Sequence, residues 1–528
     1  LTPYLEEWIK PWTVDDLFHE GQKLRICFAP VLTMAQLAQQ EHLRARHFFV
    51  DVTHPRAGTL THLGPPYQLR DPWWQIRRPA PLLGEHNEEV GASLGQVQSS
   101  LGQVKADAER LRTLNPEPRT LNPSSRLPLE GVRVVDFSWA WAGPFCTMNL
   151  AHLGAEVIKV ESQARLDIAR RLPFGPKDQP MTVNTSGYFN QWAQGKKSVT
   201  LNLSTSEGCA IARKLIKESD VVLDNFAAGV MEELGLGYDE LKKIKPDIIM
   251  ASICGYGHTG PQKDYMAYGP TTAPLIGLSS LTGYPDGPPQ EVGISYGDPN
   301  AGINAALAIC AALVVKQRTG TGQYVDISLW EAAAVLIPEG WMDYAMNQTQ
   351  PPRMGNHDPW MSPHNCFRCA GEDEWVTIAC GTDAEWQALC RAIGSPALGT
   401  DARFRTAADR KAHEEELEQL LSAWTGSRDK WDVTRILQGA GVAAFPSMTS
   451  EDLVKDPHLN ERGFFERLPH PEVGVRTHTG IPWRLSNSPN GVRSPGPLLG
   501  QDTEWMMRDL LGYSDQEIAK FKEEKILY

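Results

Sequence analysis

The sequence predicts an α/β protein: a large domain built on a parallel, doubly wound sheet, followed by a smaller α+β domain. From residue 132 to residue 253, short apolar strands alternate with helix-forming stretches, which is the pattern of a sheet with crossover helices. From Met354 onward this alternation gives way to an isolated strand and amphipathic helices. A chain of 528 residues is long enough to bury more than one such core.

The first 90 residues resemble the end of the same chain. Ala29-Pro30 aligns with Phe445-Pro446, and 446 − 30 gives an offset of 416 residues. The same offset aligns His42-Leu43 with His458-Leu459, Arg46-His-Phe-Phe49 with Arg462-Gly-Phe-Phe465, His54-Pro55 with His470-Pro471, Thr61-His62 with Thr477-His478, and Pro81-Leu-Leu-Gly84 with Pro497-Leu-Leu-Gly500. One unbroken register of this length is hard to obtain by chance. We therefore expect residues 1–90 to be the C-terminal tail of a first homologous unit whose beginning is missing from the chain.

The next stretch, residues 91–128, is polar and rich in Ser, Gln, Asn and Pro, without a sustained apolar period. This composition predicts a linker between the two units, with a short helix at 104–114.

Residues 129–350 are predicted to form the large domain of the second unit. Strands are expected at 132–136, 156–160, 198–202, 220–224 and 247–253. An Ala142-Gly-Pro144 turn is expected to lead into a helix that ends at residue 153, and further helices are expected at 206–218, 240–245 and 303–315. In a parallel sheet, ligands bind at the carboxyl ends of the strands. The loops after Asp136, Asp224 and Ile253 are therefore expected to gather around a site.

The remainder is predicted to form the small domain, residues 351–475, and a return to the large domain, residues 476–528. A strand is expected at 375–379, with helices at 383–393 and 411–424 and a final helix at 515–523.

Composition excludes several classes of partner. The formal net charge of −13 argues against a nucleic acid or an anionic membrane surface. Nine cysteines lie scattered without a repeated spacing, which favours a reduced, cytoplasmic setting. The longest apolar run, 303–315, is too short to cross a bilayer.

One carboxylate stands out by its surroundings. Asp298 lies between Gly297 and Gly302, immediately before the predicted helix 303–315. Glycines on both sides permit a tight strand-to-helix turn and the close approach of a bulky ligand. An aspartate at this position either caps the helix or carries out catalysis, and its spacing alone leaves both interpretations open.

Two other motifs are similar to cofactor-binding or metal-binding motifs, but the residues around them do not support such sites. Gly255, Gly257 and Gly260 spell GxGxxG after a strand, but Pro261 follows instead of an apolar helix, so neither nicotinamide nor flavin is expected. These glycines are expected to shape an open loop against another large ligand. The Cys366–Cys369 spacing has no matching second ligand pair, so no metal site is expected.

Together the motifs resemble the class III CoA-transferases, the family of formyl-CoA transferase, carnitine CoA-transferase and the bile-acid CoA-transferases. The stretches that carry the resemblance are Val135-Asp-Phe with Ala142-Gly-Pro144, Leu153-Gly-Ala-Glu-Val-Ile-Lys-Val-Glu161, Lys197-Ser-Val-Thr-Leu-Asn202, Asp224-Asn-Phe226, Gly255-Tyr-Gly257 with Gly260-Pro261, Gly297-Asp298, Thr319-Gly-Thr-Gly-Gln323 with Val325-Asp326, and the closing Arg462-Gly-Phe-Phe465 and Pro497-Leu-Leu-Gly500. They cover the second unit almost from end to end.

The resemblance implies a fold and a chemistry. The family has a Rossmann-like large domain and a small domain, in two chains interlocked like chain links. The aspartate that matches Asp298 is the family's nucleophile, with coenzyme A entering as the acyl-CoA substrate. Leu201, Asn225 and Phe226 would line the CoA site together with the glycine loop at Gly255 and Gly257.

Several residues differ from those of the family members, and these differences narrow the range of expected reactions and substrates. The α-methylacyl-CoA racemase of this family has a histidine where Tyr268 stands, so two-base racemisation is disfavoured. Formyl-CoA transferase has a glutamine where Trp141 stands, which suggests a more apolar acyl pocket bounded by Trp141, Tyr268 and Gly297. Ser162 and Glu233 replace two CoA-binding arginines, and the substitute cations expected are Lys159, Lys196, Lys197 and Arg165.

We therefore expect CoA transfer from an acyl-CoA to a carboxylic acid through Asp298, in a homodimer or in a pseudo-dimer with the missing first unit. A racemase or isomerase remains an alternative. So does CoA transfer coupled to elimination, because the CoA-transferase/lyase acting on dimethylsulfoniopropionate is also a tandem. A CoA-binding unit without catalysis is the third alternative.

Overall fold

The structure is a computed structural model, and it describes residues 2–70, 74–92, 127–486, 488–489 and 491–528. The chain divides into two compact units. The large unit comprises Leu1–Gly277, Gly293–Gln350 and Glu466–Tyr528, and the small unit comprises Leu278–Val292 and Pro351–Phe465. The predicted linker helix at 104–114 lies outside the described residues.

Within the described residues, the first two thirds of the chain contain nine strands. They are β1 Phe49–His54, β2 Gly58–Leu63, β3 Gln68–Leu69, β4 Arg133–Asp136, β5 Glu156–Glu161, β6 Lys196–Thr200, β7 Val221–Asp224, β8 Ile249–Cys254 and β9 Tyr324–Ser328. β1 and β2 form an antiparallel hairpin. The other seven form one sheet with the order β3-β9-β8-β7-β4-β5-β6, in which β3 alone runs antiparallel.

The strand order explains where a ligand can bind. From β4 the chain proceeds to β5 and β6 on one side and then crosses to β7, β8 and β9 on the other. The order therefore reverses at β4, and a crevice opens at the carboxyl ends of the strands beside such a reversal. β7 is buried at every position, as expected for a strand covered by helices on both faces.

Helices of the large unit cover both faces of the sheet. They are Thr2–Ile9, Val14–Lys23, Met34–Ala38, Glu41–Ala45, Ala142–His152, Gly187–Trp192, Ser206–Lys217, Val230–Glu233, Tyr238–Ile244, Gly269–Leu275, Gly297–Thr319, Leu329–Ala334, Pro338–Asn347, Thr503–Trp505 and Asp515–Glu523, with a 3₁₀ turn at Ile168–Arg171 and a π turn at Met506–Leu510.

The helix Gly297–Thr319 is longer than predicted, because it begins at Gly297 and not at residue 303. It is long and apolar enough to meet the length and composition test for a membrane span. Its small residues Ala301, Ala305 and Ala308 are nevertheless fully buried in the core of the large unit. The lack of bulky side chains on this face lets it pack closely against the helix Ala142–His152.

The small unit contains an antiparallel sheet, β10 His364–Arg368, β11 Trp375–Ala379 and β12 Ala443–Pro446, in the order β10-β11-β12. Its helices are Leu278–Leu281, Asp383–Ala392, Ala407–Ala412, Glu414–Thr425, Lys430–Gly439, Ser450–Lys455 and Pro457–Glu461, with a 3₁₀ turn at Pro396–Thr400. The single helix predicted at 411–424 is therefore wrong. His413 interrupts it, because a capping box between Thr406 and Asp409 starts a separate, earlier helix. Cys366 and Cys369 are free thiols.

A second hairpin, β13 Phe465–His470 and β14 Gly474–Thr479, completes the strands. It repeats β1 and β2 at the offset of 416 residues seen in the sequence, since 465 − 49 and 479 − 63 both give 416. The helix pairs Val14–Lys23 with Lys430–Gly439 and Glu41–Ala45 with Pro457–Glu461 begin and end at the same offset.

Candidate active site

Asp298 lies where three helices begin. It is the second residue of the helix Gly297–Thr319, and the backbone N–H groups of Ala142 and Gly269 lie near enough to its carboxylate to stabilise the negative charge. Those two residues are the first residues of the helices Ala142–His152 and Gly269–Leu275. Backbone N–H groups at helix starts have no partner inside their helix, so they favour an anion.

The glycines around Asp298 are required by close packing. A Cβ atom at Gly269 would lie 1.8 Å from Asp298 Oδ2, so only a hydrogen atom fits between that backbone and the carboxylate. A Cβ atom at Gly297 would lie 2.3 Å from Thr272 Oγ1. Gly297 therefore positions the helix start and is itself buried.

Burial and the nearby backbone N–H groups shift the pKa of Asp298 in opposite directions. Burial raises the pKa of Asp298 from its ordinary value to about 6, and the N–H groups of Ala142 and Gly269 limit the rise. The group is thus mostly ionised at neutral pH, yet more basic than a solvated aspartate. A basic, partly desolvated carboxylate is a better nucleophile than one in water.

This pKa predicts a pH dependence. Because the ionised form is the nucleophile, kcat/KM is expected to fall about tenfold for each pH unit below about 6. The measurement is a pH–rate profile with circular dichroism at each pH to show that the fold persists. A profile that stays flat down to about pH 4.5 would contradict the role of Asp298.

Aromatic side chains surround the approach to Asp298. Trp141 stacks on Trp192 with ring centroids 5.4 Å apart, and Tyr188 contacts both at 6.0 Å. Burial, followed by the charge of Asp298, raises the pKa of Tyr188 to about 12, so the cluster adjoins the carboxylate. The buried indole Nε1 of Trp141 makes no hydrogen bond with the described residues. This aromatic cluster (Trp141, Phe145, Phe174, Tyr188 and Trp192) suits an apolar group that carries one acceptor.

Tyr268 stands next to Gly269 at the start of a helix, and its place in the acyl pocket stays a prediction. It precedes the helix Gly269–Leu275, its backbone bonds the Thr271 hydroxyl, and its side chain is 62% exposed. The structure gives its ring no contact with Asp298 among the described residues.

A cavity of about 590 Å³ opens at the carboxyl ends of β5, β6 and β7, beside the strand reversal. It brings together the predicted residues Leu201 and Phe226, and Trp139 meets Phe226 edge-to-face at 5.5 Å. The other lining residues are Phe137, Val160, Glu161, Ser162, Ala164, Arg165, Asn202, Leu203, Ser204, Ala227, Val230, Glu233 and Leu234. Its wall is mainly apolar, with Arg165 as a cation at the rim.

Asn225 holds the loop between this cavity and Asp298. Its side-chain amide accepts from Trp139 N–H at 2.7 Å and donates to the Trp139 carbonyl at 2.7 Å. Ala140 follows with φ of 65°, a strained value for a residue with a side chain. Ala142 lies three positions after Trp139, so the cavity wall at Trp139 and the backbone N–H of Ala142 beside Asp298 are at most about 11 Å apart along the chain. Asn225 therefore acts on the site indirectly, because it holds the loop that joins the cavity wall at Trp139 to Ala142.

The lysines proposed as phosphate ligands lie elsewhere. Lys159 is buried and bonds the Ser138 carbonyl at 2.6 Å and Asp167 at 2.9 Å. Lys196 is buried against Asp136, 3.1 Å away. Lys197 pairs with Glu156 at 2.7 Å and lies over the ring of Trp505. None of these three lysines, all in the described part of the chain, lines the cavity. The assignment of Lys159 to CoA is therefore corrected, because its charge is buried against Asp167. Lys197 is about one third exposed beside Glu156, and its assignment to CoA stays a prediction.

The glycine loop also has another partner. A Cβ atom at Gly257, whose φ is 82°, would lie 2.2 Å from the Arg46 guanidinium carbon. The nearest neighbour of Gly255 is Ala267, and that of Gly260 is His42. The side of Gly255 and Gly257 on which a Cβ would stand is therefore filled by the chain's own residues, and the assignment of this loop to CoA stays a prediction. Sequence inspection missed this contact because residues 42–46 and 255–260 are far apart in the chain.

Known proteins resemble this chain over most of its length. The family model described as CoA-transferase family III matches residues 1–87 and 129–503. A succinyl-CoA–D-citramalate CoA-transferase of Chloroflexus aurantiacus is 35% identical over 400 residues, which is 76% of this chain and 98% of that protein. A succinate–glutarate CoA-transferase of Agrobacterium fabrum is 32% identical over 389 residues, covering 72% of this chain and 96% of that protein.

Solved structures show the same likeness. A CAIB/BAIF family protein from Brucella suis superposes with a TM-score of 0.67 at 33% identity, covering 73% of this chain and 100% of that one.

Proposed function

Because the chain belongs to CoA-transferase family III, we propose that it moves CoA from an acyl-CoA thioester to a carboxylic acid through covalent intermediates on Asp298. The observation that carries the proposal is a basic carboxylate held by the N–H groups of Ala142 and Gly269. It adjoins an aromatic cluster and lies one short loop from an apolar cavity.

The transfer reaction requires one nucleophilic group on the enzyme, the carboxylate of Asp298. Asp298 attacks the thioester carbonyl, the C–S bond breaks, and an acyl-aspartyl anhydride and CoA thiolate result. The thiolate attacks the aspartyl carbonyl and expels the first acid as its carboxylate, which leaves an aspartyl-CoA thioester. The second acid, as its carboxylate, attacks that thioester and releases the thiolate. The thiolate then attacks the acyl carbonyl of the new anhydride, which yields the new acyl-CoA and restores Asp298.

The two backbone donors serve more than one step. In the resting enzyme, the N–H groups of Ala142 and Gly269 stabilise the charged carboxylate. When the thiolate adds to the aspartyl carbon, negative charge develops on the oxygen they already face. Fixed donors of this kind stabilise a tetrahedral oxyanion without reorganisation.

We place the CoA moiety in the cavity of Leu201 and Phe226, with Arg165 near its phosphates. Phe226→Ala is expected to raise KM for acyl-CoA about tenfold, the equivalent of about 1.4 kcal/mol of lost apolar contact, while kcat changes little. Steady-state kinetics measure both constants. The matched control is Phe445→Ala, which removes an exposed ring from the small unit. Equal effects of the two substitutions would contradict this placement.

The aromatic cluster favours an acid with an apolar body. The relatives named above act on dicarboxylates. In this chain the pKa of Asp298 is set by burial and by backbone N–H groups. Trp141→Ala is expected to lower kcat/KM for an apolar monocarboxylate about tenfold or more, because a half-buried indole is lost. The assay compares benzoate and branched aliphatic acids with glutarate. Trp360→Ala, which removes an exposed indole, is the control, and a strong preference for glutarate would refute the apolar pocket.

One trapping experiment tests the covalent route. The enzyme is incubated with acyl-CoA and then with hydroxylamine, and the modified residue is located by mass spectrometry. A hydroxamate on Asp298 is expected. α-Deuterium exchange without transfer to an acid would indicate a racemase or isomerase. An unsaturated product formed from a transferred acid would indicate coupled elimination. Bound CoA without any adduct would indicate a unit that binds CoA without catalysis.

We further propose that residues 1–90 derive from a first unit of a tandem, that the assembly is dimeric or pseudo-dimeric, and that the protein acts in the cytoplasm. The offset of 416 residues shared by helices and hairpins supports the tandem, and the family model matches the first 87 residues as well as residues 129–503. The nine cysteines, all within the described residues, are free thiols, which suits a reducing compartment.

A further inference from the structure

The loop between β4 and the helix that begins at Ala142 carries a strained backbone. It spans residues 137–141 and joins the cavity wall at Trp139 to the backbone N–H of Ala142 beside Asp298. Ala140 in the loop has φ of 65°, a left-handed value that is unfavourable for a residue with a Cβ atom. No side chain caps the start of the helix, so the direction of the Ala142 N–H depends on the loop.

A buried ion pair holds this loop at two points. Lys159 on β5 donates from Nζ to the Ser138 carbonyl at 2.6 Å. Asp167 accepts from the Ala140 N–H at 2.8 Å through Oδ1. The two charged groups lie 2.9 Å apart, and each side chain is only 1% exposed. This clamp pair (Lys159 and Asp167) therefore binds the peptide units on both sides of Trp139.

Asn225 binds the other polar groups of the same two peptide units. It accepts from the Trp139 N–H and donates to the Trp139 carbonyl, both at 2.7 Å. Three side chains thus take all four hydrogen-bonding groups of the peptide units beside Trp139. A strained backbone persists where the surrounding structure holds it at several points in this way.

The clamp pair is not needed to neutralise the other buried carboxylates nearby. Asp136 has Lys196 at 3.1 Å, and Glu161 has Arg170 at 2.8 Å. Apolar side chains in place of both members of the pair would therefore leave no buried charge unpaired. Apolar side chains could not, however, bind the peptide groups of the strained loop.

We infer that Lys159 and Asp167 are positioning residues of the transfer reaction, because they hold the loop in the conformation that directs the Ala142 N–H at Asp298. This inference rests on the proposed function, in which Asp298 is the nucleophile. Asn225 still binds Trp139 when the clamp pair is removed. The pair should therefore affect the reaction at Asp298 and not the binding of CoA.

Two double variants of the full chain isolate the contact with Ala140. Lys159→Met/Asp167→Asn keeps a carbonyl oxygen that can accept from the Ala140 N–H, whereas Lys159→Met/Asp167→Ala removes this acceptor. Both remove the same two opposite charges, so a difference between the variants reports the hydrogen bond and not the electrostatic field of the pair. Neither variant leaves one member of the pair buried without its partner.

The variant with Asp167→Ala is expected to lower kcat about tenfold, because the Ala142 N–H is no longer fixed beside Asp298. Its kcat/KM profile should have an acidic midpoint about half a pH unit or more above that of wild type, because burial raises the pKa of Asp298 and this N–H limits the rise. Tyr188 beside Asp298 has a pKa of about 12, outside this range. KM for acyl-CoA should stay within about twofold of wild type, because Asn225 still holds the cavity side of the loop.

The variant with Asp167→Asn should keep the wild-type midpoint. Ala140→Gly provides a rescue, because glycine adopts φ of 65° without the clash of a Cβ atom. Added to Lys159→Met/Asp167→Ala, it should recover part of kcat and return the midpoint towards that of wild type. Equal kinetics of the two double variants, or a triple variant no better than the double variant, would overturn the inference.

The matched control is Lys316→Met/Asp220→Ala. It removes an ion pair of 2.9 Å and an acceptor of a backbone N–H just before β7, at the edge of the sheet opposite to the site. Circular dichroism should show a lower melting temperature for this variant, while its pH midpoint stays that of wild type. A midpoint that rises as much in the control as in Lys159→Met/Asp167→Ala would refute a specific effect of the clamp pair.

A further variant decides the matter if Lys159→Met/Asp167→Ala does not fold. Ala140→Val leaves the clamp pair intact but places a β-branched side chain at a left-handed φ. It should lower kcat and raise the midpoint, and wild-type kinetics of the folded variant would overturn the inference. Hydroxylamine trapping on Asp298 of the wild-type enzyme supports the proposed function whatever these variants do. Trapping of the wild-type enzyme at another residue would refute that function and this inference together.

Discussion

Asp298→Asn is expected to lower kcat by about 10⁴-fold or more, because a carboxamide oxygen is too weak a nucleophile to open a thioester. The substitution preserves shape, and the donors at Ala142 and Gly269 still meet one carbonyl oxygen. KM for acyl-CoA should change little, since the cavity of Leu201 and Phe226 is untouched. Steady-state kinetics and hydroxylamine trapping measure the loss.

The same variant should not be less stable at neutral pH. The folded-state pKa of Asp298, about 6, lies above the ordinary value of 3.8, so folding disfavours the ionised carboxylate. The shift corresponds to about 3 kcal/mol of destabilisation, which is fully present above pH 6 and is lost as the pH falls from 6 towards 4. Asparagine carries no charge and avoids this cost, although its amide matches the donors less well.

Two observations separate catalysis from misfolding. At pH 7, Asp298→Asn should melt at or above the wild-type temperature while being inactive. Asp264→Asn, the same change at an exposed position, should keep activity. An Asp298→Asn enzyme within tenfold of wild-type activity would rule out the nucleophilic role.

Gly269→Ala is expected to lower kcat by about 10²–10³-fold, the effect of losing one fixed donor and displacing the reacting group by about 1 Å. The new methyl group would lie 1.8 Å from Asp298 Oδ2 and 2.4 Å from Ser295 Cβ, so the carboxylate must move. The backbone of Gly269 is not in the left-handed region, so alanine causes no backbone strain there. The expected effect therefore comes from the contact of the methyl group with its neighbours.

The control is Gly439→Ala, because a methyl group there meets no atom within 4 Å. The expected pattern is a fall in kcat for Gly269→Ala with KM for acyl-CoA near wild type, and no change for Gly439→Ala. A rise in KM alone would mean that Gly269 shapes substrate binding and does not position Asp298.

Much of the large domain could be predicted from local sequence. The apolar runs at 220–224 and 247–253 correspond to β7 and β8, because strands buried on both faces consist of continuous apolar residues. Helix ends were less predictable. The helix Gly297–Thr319 starts six residues early, because its first turn is stabilised by packing on Thr272 and not by a side-chain cap.

The site residues were likewise predicted from the sequence only in part. Leu201 and Phe226 lie at strand ends, where topology gathers ligand contacts, and they do line one cavity. Lys159 and Lys197 belong to β5 and β6 of the same sheet, but their charges pair with Asp167 and Glu156. A lysine's sequence neighbours do not reveal which carboxylate the fold brings to it.

The sequence by itself determined the alternation of strands and helices, the repeat at 416 residues and the aspartate between glycines, because each depends on residues close in the chain or on matching text. Only the tertiary structure decided that three helix starts converge on Asp298 and that Trp141 joins an aromatic cluster beside it. It also decided that Arg46 fills the space beside Gly257. These relations join residues up to 285 positions apart, as in the Arg46–Glu331 pair, and burial and charge pairing select them only in the folded chain.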